Sequence, residues 1–346
     1  MNANPIAPLA PDALYVFVFG PGYGESVVLR IPPAHWVVID GCRSSSFSSY
    51  PAKLLKDFGA HADILVLTHP HLDHAAGLDG LLDDWKGHKV GCCEPIVENV
   101  DEMHPNAQKA VEGLTVKKVL SRIQSVWRKR EDTRWPLCRG TLQAVGDARL
   151  EVLHPDEEAL RTSSVNGLSS PILIEWHRVR LLLGSDLELP GWEDVAASRS
   201  DLARHHLLKL PHHASDNGRH EAVARRDAAW SPPRFWIATP MNRKWKLPQF
   251  DDGQGLAQWL EHEPEVHLTG LPEPYRSMSL PPWITDRRRV LLEGRPPPQD
   301  SIPGLPGIIP DRPPRETLDH FIMAAFSRDG QRIDVRHGDG AVVIKA

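Results

Sequence analysis

Residues 68–74 read Thr68-His69-Pro70-His71-Leu72-Asp73-His74 and directly follow an unbroken apolar run, Ile64–Leu67. Such a run predicts a short strand buried on both faces. Four side chains able to ligate a metal lie within six residues of its end. A strand end and a tight loop can turn His69 and His71 toward one point, and the start of a helix then adds Asp73 and His74. Neutral imidazoles and a carboxylate are the donor set that suits zinc or manganese. The competing reading is a chance run on a solvated loop, because the chain has 18 histidines. The buried strand just before the run favours the metal.

Working outward, residues 14–19 and 27–31 read as short strands joined by the turn Gly20-Pro21-Gly22-Tyr23-Gly24. Residues 36–39 form another apolar run that stops at Asp40-Gly41, a serine-rich loop covers Ser44–Tyr50, and residues 51–58 suggest a short helix. Residues 105–131 place Val116, Val119, Leu120, Ile123, Val126 and Trp127 at helical spacing, with Lys117, Lys118, Arg122, Arg128 and Lys129 on the remaining faces. Further strands are expected at 150–153, 171–176, 179–183, 207–210 and 235–238, and a helix at 256–262. Strands mixed with helices in this order predict a layered α/β domain. Residues 1–294 are read as that domain, 295–314 as a Pro-rich linker, and 315–346 as a C-terminal β-hairpin packing on it, with turns at Asp329-Gly330 and Asp339-Gly340.

The 346 residues, 41% hydrophobic and 25% charged, have the profile of a globular protein. A net charge of −5 excludes a chain that is basic overall, so any grip on a polyanion must come from a local patch. No apolar run approaches the roughly 20 residues that cross a bilayer, and no membrane partner is expected. The first twenty residues lack the pattern of a secretory signal. The four cysteines, Cys42, Cys92, Cys93 and Cys138, fit neither CxxC spacing nor a disulfide framework, and a reducing cytoplasm is the default location.

The run His69–His74 has the form HxHxDH, and with it the chain resembles the metallo-β-lactamase superfamily. Within that superfamily it is most similar to the soluble hydrolase domain of ComEC-type DNA-uptake proteins and their stand-alone relatives. Those domains carry a GxGD-like turn, a strand ending in Asp-Gly, a "GD" after a later strand and a "K-hydrophobic-x-HHGS" after the next. The counterparts are Gly22-Tyr23-Gly24-Glu25, Asp40-Gly41, Leu183-Gly184-Ser185-Asp186 and Lys209-Leu210-Pro211-His212-His213-Ala214-Ser215, spread over residues 14–270. The resemblance implies a four-layer αββα sandwich holding two divalent metal ions, zinc or manganese. Asp186 would bridge the two. His69 and His71 would hold one, while Asp73, His74 and His213 (or its neighbour His212) would hold the other. Asp40 would orient a ligand histidine from beneath, and His212 would pack or meet substrate, as would Ser215.

Two departures stand out. The GHTPG-type signature for a further histidine is absent. His154 is the nearest candidate for that ligand, or simply ends a strand, and Asn166 lies where the signature aligns. After Asn242, Leu247-Pro248 replaces a His-Pro of the relatives, and the cationic run Arg243-Lys244-Trp245-Lys246 leaves Lys244 and Trp245 as candidate substrate contacts. Thr269 matches a threonine common in the relatives.

A metal lowers the pKa of bound water from 15.7 toward roughly 7 and so supplies hydroxide at neutral pH, while two ions clamp both oxygens of an in-line displacement. Asp73 would take up or orient the proton. The expected activity is a metal-dependent phosphodiesterase or nuclease. Cations interleaved with tryptophans, around Trp127 and Trp135 and again at 243–246, could serve phosphates and unpaired bases, or Trp127 could pack inward. Two alternatives compete with it: a small-molecule hydrolase of lactonase, thioesterase or β-lactamase type, and a non-catalytic module whose C-terminal hairpin docks a protein partner.

Overall fold

The computed structural model describes residues 9–45, 47–83, 85–98, 105–242, 246–250, 254–272 and 318–345. Six strands open the chain: β1 Leu14–Phe19, β2 Ser26–Ile31, β3 His35–Ile39, β4 Ile64–Val66, β5 Lys89–Cys92 and β6 Arg134–Pro136. Seven follow: β7 Leu142–Val145, β8 Ala148–Val152, β9 Ile172–Trp176, β10 Val179–Leu183, β11 Leu207–Lys209, β12 Phe235–Ala238 and β13 Glu265–Leu268. The last three are β14 Phe321–Phe326, β15 Arg332–His337 and β16 Val342–Lys345. They build two eight-stranded sheets, in the orders β15-β14-β1-β2-β3-β4-β5-β6 and β16-β13-β12-β11-β10-β9-β8-β7.

Alternation along the strands explains why the sheets face each other. In β1, Val16 and Val18 join Leu29, Ile39 and Val66 against Leu150, Ile174, Leu181 and Ile237 of the second sheet, the apolar middle layer. The opposite faces are apolar as well. Phe17, Val38 and Leu65 meet Leu54 and the helix Leu114–Lys129, while Leu182, Leu208 and Trp236 meet Trp192 of the helix Leu189–Ser198 and Trp259. Strands buried on both sides, between layers of helices, give the αββα metallo-β-lactamase sandwich expected from the sequence.

The C-terminal stretch differs from a two-stranded hairpin. Its two turns separate three strands, and these divide between the sheets: β14 pairs antiparallel with β1, and β16 pairs antiparallel with β13. The helix expected over 105–131 is two, Pro105–Ala110 and Leu114–Lys129, divided at Gly113. Trp127 and Trp135 are 3% and 4% exposed, and the Trp127 indole donates to the Val90 carbonyl at 3.0 Å. Their faces are spent on the core and cannot stack on bases. Cys92 and Cys93 are likewise buried, and burial pushes both thiols up. The linker at 295–314, Lys244 and Trp245 lie outside the described residues. No helix among the described residues is long and apolar enough to cross a membrane.

His205 shows how the core constrains ionisation. It is fully buried, accepts from the Trp236 indole at 3.1 Å and donates through Nδ1 to the Leu202 carbonyl. Burial lowers its pKa from 6.5 to about 3. The unfolded chain therefore takes up a proton below 6.5 that the folded chain refuses until about 3, so stability falls as pH falls through that window. Denaturation midpoints of metal-free protein between pH 7 and 4 should drop steadily, and His205→Asn should flatten the slope.

Candidate metal centre

The site lies where loops leave the carboxyl ends of parallel strands, the position that open α/β sheets reserve for ligands. β4 delivers the loop with His69 and His71 and the short helix Leu72–Ala75 with Asp73 and His74; β10 delivers Asp186; β11 delivers His213. β3 and β12 end at Asp40 and Thr239, which stand behind the inner residues.

Two groups share one carboxylate. One ligand atom each from Asp73, His74, Asp186 and His213 lie within 4.8 Å of one another, and so do those of His69, His71 and Asp186. His74 Nε2 is 3.4 Å and His213 Nε2 3.6 Å from Asp186 Oδ2. His213 Nε2 is 3.5 Å from Asp73 Oδ2, and His69 Nε2 is 3.1 Å from His71 Nδ1 and 3.8 Å from Asp186. Tetrahedral coordination with bonds of 2.0–2.2 Å separates ligand atoms by about 3.3–3.6 Å, so these spacings are those of side chains around a cation. His74 Nε2, His213 Nε2 and Asp186 Oδ1 are buried without a hydrogen bond. Orphaned polar atoms are costly in a core, and three on the side chains of one ligand group fit a divalent ion.

The outer contacts set which ring nitrogen carries the proton. Asp40, 3% exposed, accepts from the Thr68 amide at 2.8 Å, the Thr68 hydroxyl at 2.7 Å and His74 Nδ1 at 2.8 Å. That leaves His74 Nε2 as the nitrogen that faces the carboxylates. The Thr68 hydroxyl, having donated to Asp40, accepts from Ser185 at 2.8 Å and stands 3.2 Å from His69 Nδ1, which fixes His69 likewise.

Electrostatics are mutual. Burial alone would raise Asp73 and Asp186, yet both sit below the ordinary carboxylate range, because His213 and His74 act on each of them by charge. Burial opposes charge on His74, but Asp186 and Asp40 outweigh it and push it well up. For His69, burial together with the neighbouring His74 and His71 outweighs the pull of Asp186 and Asp73 and drives it well down. A cation is the natural partner for anions packed this way.

The backbone is strained here. Eight non-glycine residues among those described have positive φ, and five belong to the site: Asp40 (58°), Ser185 (49°), His212 (44°), His213 (53°) and Ala214 (58°). Left-handed backbone at such residues costs on the order of 1–3 kcal/mol each. Three in succession after Pro211 turn His213 inward, and Gly184 lets Pro211 approach, since a Cβ there would lie 2.6 Å from its ring.

His213, not His212, meets the carboxylates. His212 instead faces Asn217 Oδ1 at 2.9 Å and the Asn166 amide at 3.3 Å, and both asparagines donate to Glu188. Ser215 is 6% exposed and its hydroxyl donates to Asn217 at 2.6 Å, so it braces this rim. His154 does not reach either group. Its ring, 2% exposed, donates to the Ser169 carbonyl at 3.2 Å, and burial lowers its pKa to about 4. The sequence reading did not find the roles of Thr68, Ser185 and Thr239, because hydroxyls that orient histidines have no spacing signature of their own.

Thr68→Val should keep the fold but remove the hydroxyl that joins Asp40, Ser185 and His69. Metal affinity should fall about 10–100-fold, the usual cost of losing such an outer partner, as measured by competition with a chromogenic chelator.

Residues 19–137 match the family model of the metallo-beta-lactamase superfamily. Among solved structures, the chain is similar to CmlA, a diiron beta-hydroxylase from Streptomyces venezuelae, at 17% identity and a TM-score of 0.37 over 59% of this chain and 35% of that one. It is also similar to a metallo-beta-lactamase from Staphylococcus aureus subsp. aureus COL, at 13% identity and a TM-score of 0.32 over 51% and 44%. The chain spans less than half the length of either. No curated protein matches it. The family match thus spans about a third of the chain, the part that holds β2–β6 and the ligand run His69–His74.

Proposed function

We propose that the chain is a metal-dependent hydrolase with a two-ion centre, and that its substrate is a phosphodiester, in the first place nucleic acid. The observation that carries the reading is the pair of ligand groups joined at Asp186. Asp73, His74, Asp186 and His213 would hold one ion, and His69, His71 and Asp186 the other, with zinc and manganese the metals that suit these donors.

Two ions so held would supply a nucleophile at neutral pH and charge stabilisation for the attacking and leaving oxygens of an in-line displacement. The remaining work belongs to the chain. Asp73, beside His213 and reachable from the second group through Asp186, holds or takes up the proton as attack proceeds. Asp40 and Thr68 keep His74 and His69 from rotating. Among the described residues the group built on His69 and His71 has three protein donors, since His154 is turned to Ser169. An open position is what a catalytic site needs, in contrast to a closed structural one.

Support for a phosphodiester comes from the shared-carboxylate pair and from the resemblance to nucleic-acid-processing relatives. With Trp127 and Trp135 in the core, contact with a polyanion falls to the segment after Asn242 that carries Lys244 and Trp245. The backbone amide of Asn242 donates to the Gly22 carbonyl at 2.7 Å. Gly24 of that turn packs on the Asp73 carbonyl so closely that a Cβ would lie 2.7 Å away. Asn242 is thereby tied to the ligand loop.

Labelled single- and double-stranded DNA and RNA, with Mn²⁺ or Zn²⁺ added, should be cleaved by wild type. Asp73→Ala should lose more than the ~100-fold that an outer partner is worth. Hydrolysis of lactones or thioesters with nucleic acid untouched would move the assignment to a small-molecule hydrolase. Metal uptake with no hydrolysis of any of these would leave the non-catalytic reading.

A further inference from the structure

Behind His213 lies a buried ion pair. Lys209, 1% exposed, ends β11 four residues before His213, and Glu25, 3% exposed, precedes β2. The Lys209 ammonium donates to Glu25 Oε1, and the Thr239 hydroxyl donates to Glu25 Oε2, both in very short contacts. His213 Nδ1 then lies 3.2 Å from the Thr239 hydroxyl, 3.2 Å from the Thr239 carbonyl and 3.4 Å from Glu25 Oε2.

The direction of each bond follows from the chemistry of its ends. An ammonium can only donate and a carboxylate can only accept. With Lys209 on one oxygen, the other oxygen of Glu25 takes the Thr239 proton, so the Thr239 hydroxyl has only lone pairs to offer His213. Every group facing Nδ1 is thus an acceptor. A proton must therefore sit on Nδ1, so Nε2, which points at Asp73 and Asp186, is the nitrogen left to take a metal ion or, without one, a further proton. Glu25, Asp40 and His74 also form a cluster of metal-ligating type, but its charge is met: the His74 Nδ1 proton is committed to Asp40 and Glu25 holds an ammonium.

We infer that Lys209 and Glu25, acting through Thr239, are positioning residues that fix the ring and tautomer of His213. This rests on the two-ion reading for its purpose, though not for its geometry. Burying an ion pair gives little net stability and breaking one is costly. An isosteric change that reverses one hydrogen bond therefore separates positioning from mere support. In Glu25→Gln the amide nitrogen, kept away from Lys209 by its own protons, faces Thr239 and His213 as a donor. The double variant Glu25→Gln with Lys209→Met removes the unpaired ammonium and serves if the single variant does not fold.

The test reads two quantities: ring ¹⁵N shifts of His213 in metal-free protein, and the affinity of each Zn²⁺ site by calorimetry. Wild type should show His213 protonated at Nδ1. Glu25→Gln should shift that signature and weaken one of two Zn²⁺ sites by about 10-fold or more, leaving the other close to wild type. Unchanged shifts and affinities in both variants would overturn the inference. If wild type bound no Zn²⁺ yet its His213 tautomer responded to Glu25→Gln, the two-ion reading would fail and the positioning relay would stand.

Discussion

Two carboxylates, Asp73 and Asp186, are buried within a few ångströms of four imidazoles, and the rest of the site depends on making that arrangement tolerable. Anions in a dry interior demand a positive partner. Without a metal, His74 and His213 meet that demand by drawing protons, which is why both are pushed above the ordinary histidine range against burial. A divalent ion would replace those protons, and the unpartnered atoms Asp186 Oδ1, His74 Nε2 and His213 Nε2 mark where it would sit.

The fold contributes rigidity and direction. Each inner side chain leaves the end of a strand that is buried on both faces, so the loops start from fixed points. Their backbones then run through left-handed conformations at Asp40, Ser185, His212, His213 and Ala214. Such strain persists only where the surroundings over-determine it. Here the surroundings are two sets of hydrogen bonds with forced polarity: Asp40, Thr68 and Ser185 behind His74 and His69, and Lys209, Glu25 and Thr239 behind His213.

Much of this was legible in the sequence, for local reasons. Apolar runs of four to six residues gave most of the strands, and the HxHxDH run after one of them gave the first half of the site. Asp186 and His213 came from resemblance, since a lone aspartate or histidine after a strand is ordinary. What stayed hidden is long-range. Lys209 and Glu25 are 184 residues apart, and Thr239 and Glu25 are 214; no periodicity links them. Nor could alternation in residues 315–346 reveal that β14 would extend one sheet and β16 the other. His154 misled because a histidine after a strand has no mark of orientation, and its ring turned to Ser169 instead. Basic residues near Trp127 and Trp135 suggested stacking faces, but the apolar stripe of that helix had already claimed Trp127 for the core.

The central claim is that Asp186 joins two metal sites, and calorimetric titration of metal-free protein with Zn²⁺, wild type beside Asp186→Ala, tests it most directly. The account predicts two ions per chain in wild type and weakened binding of both in the variant, because each group loses its shared ligand. Two ions bound as tightly by Asp186→Ala as by wild type, or one ion unaffected by the change, would contradict it.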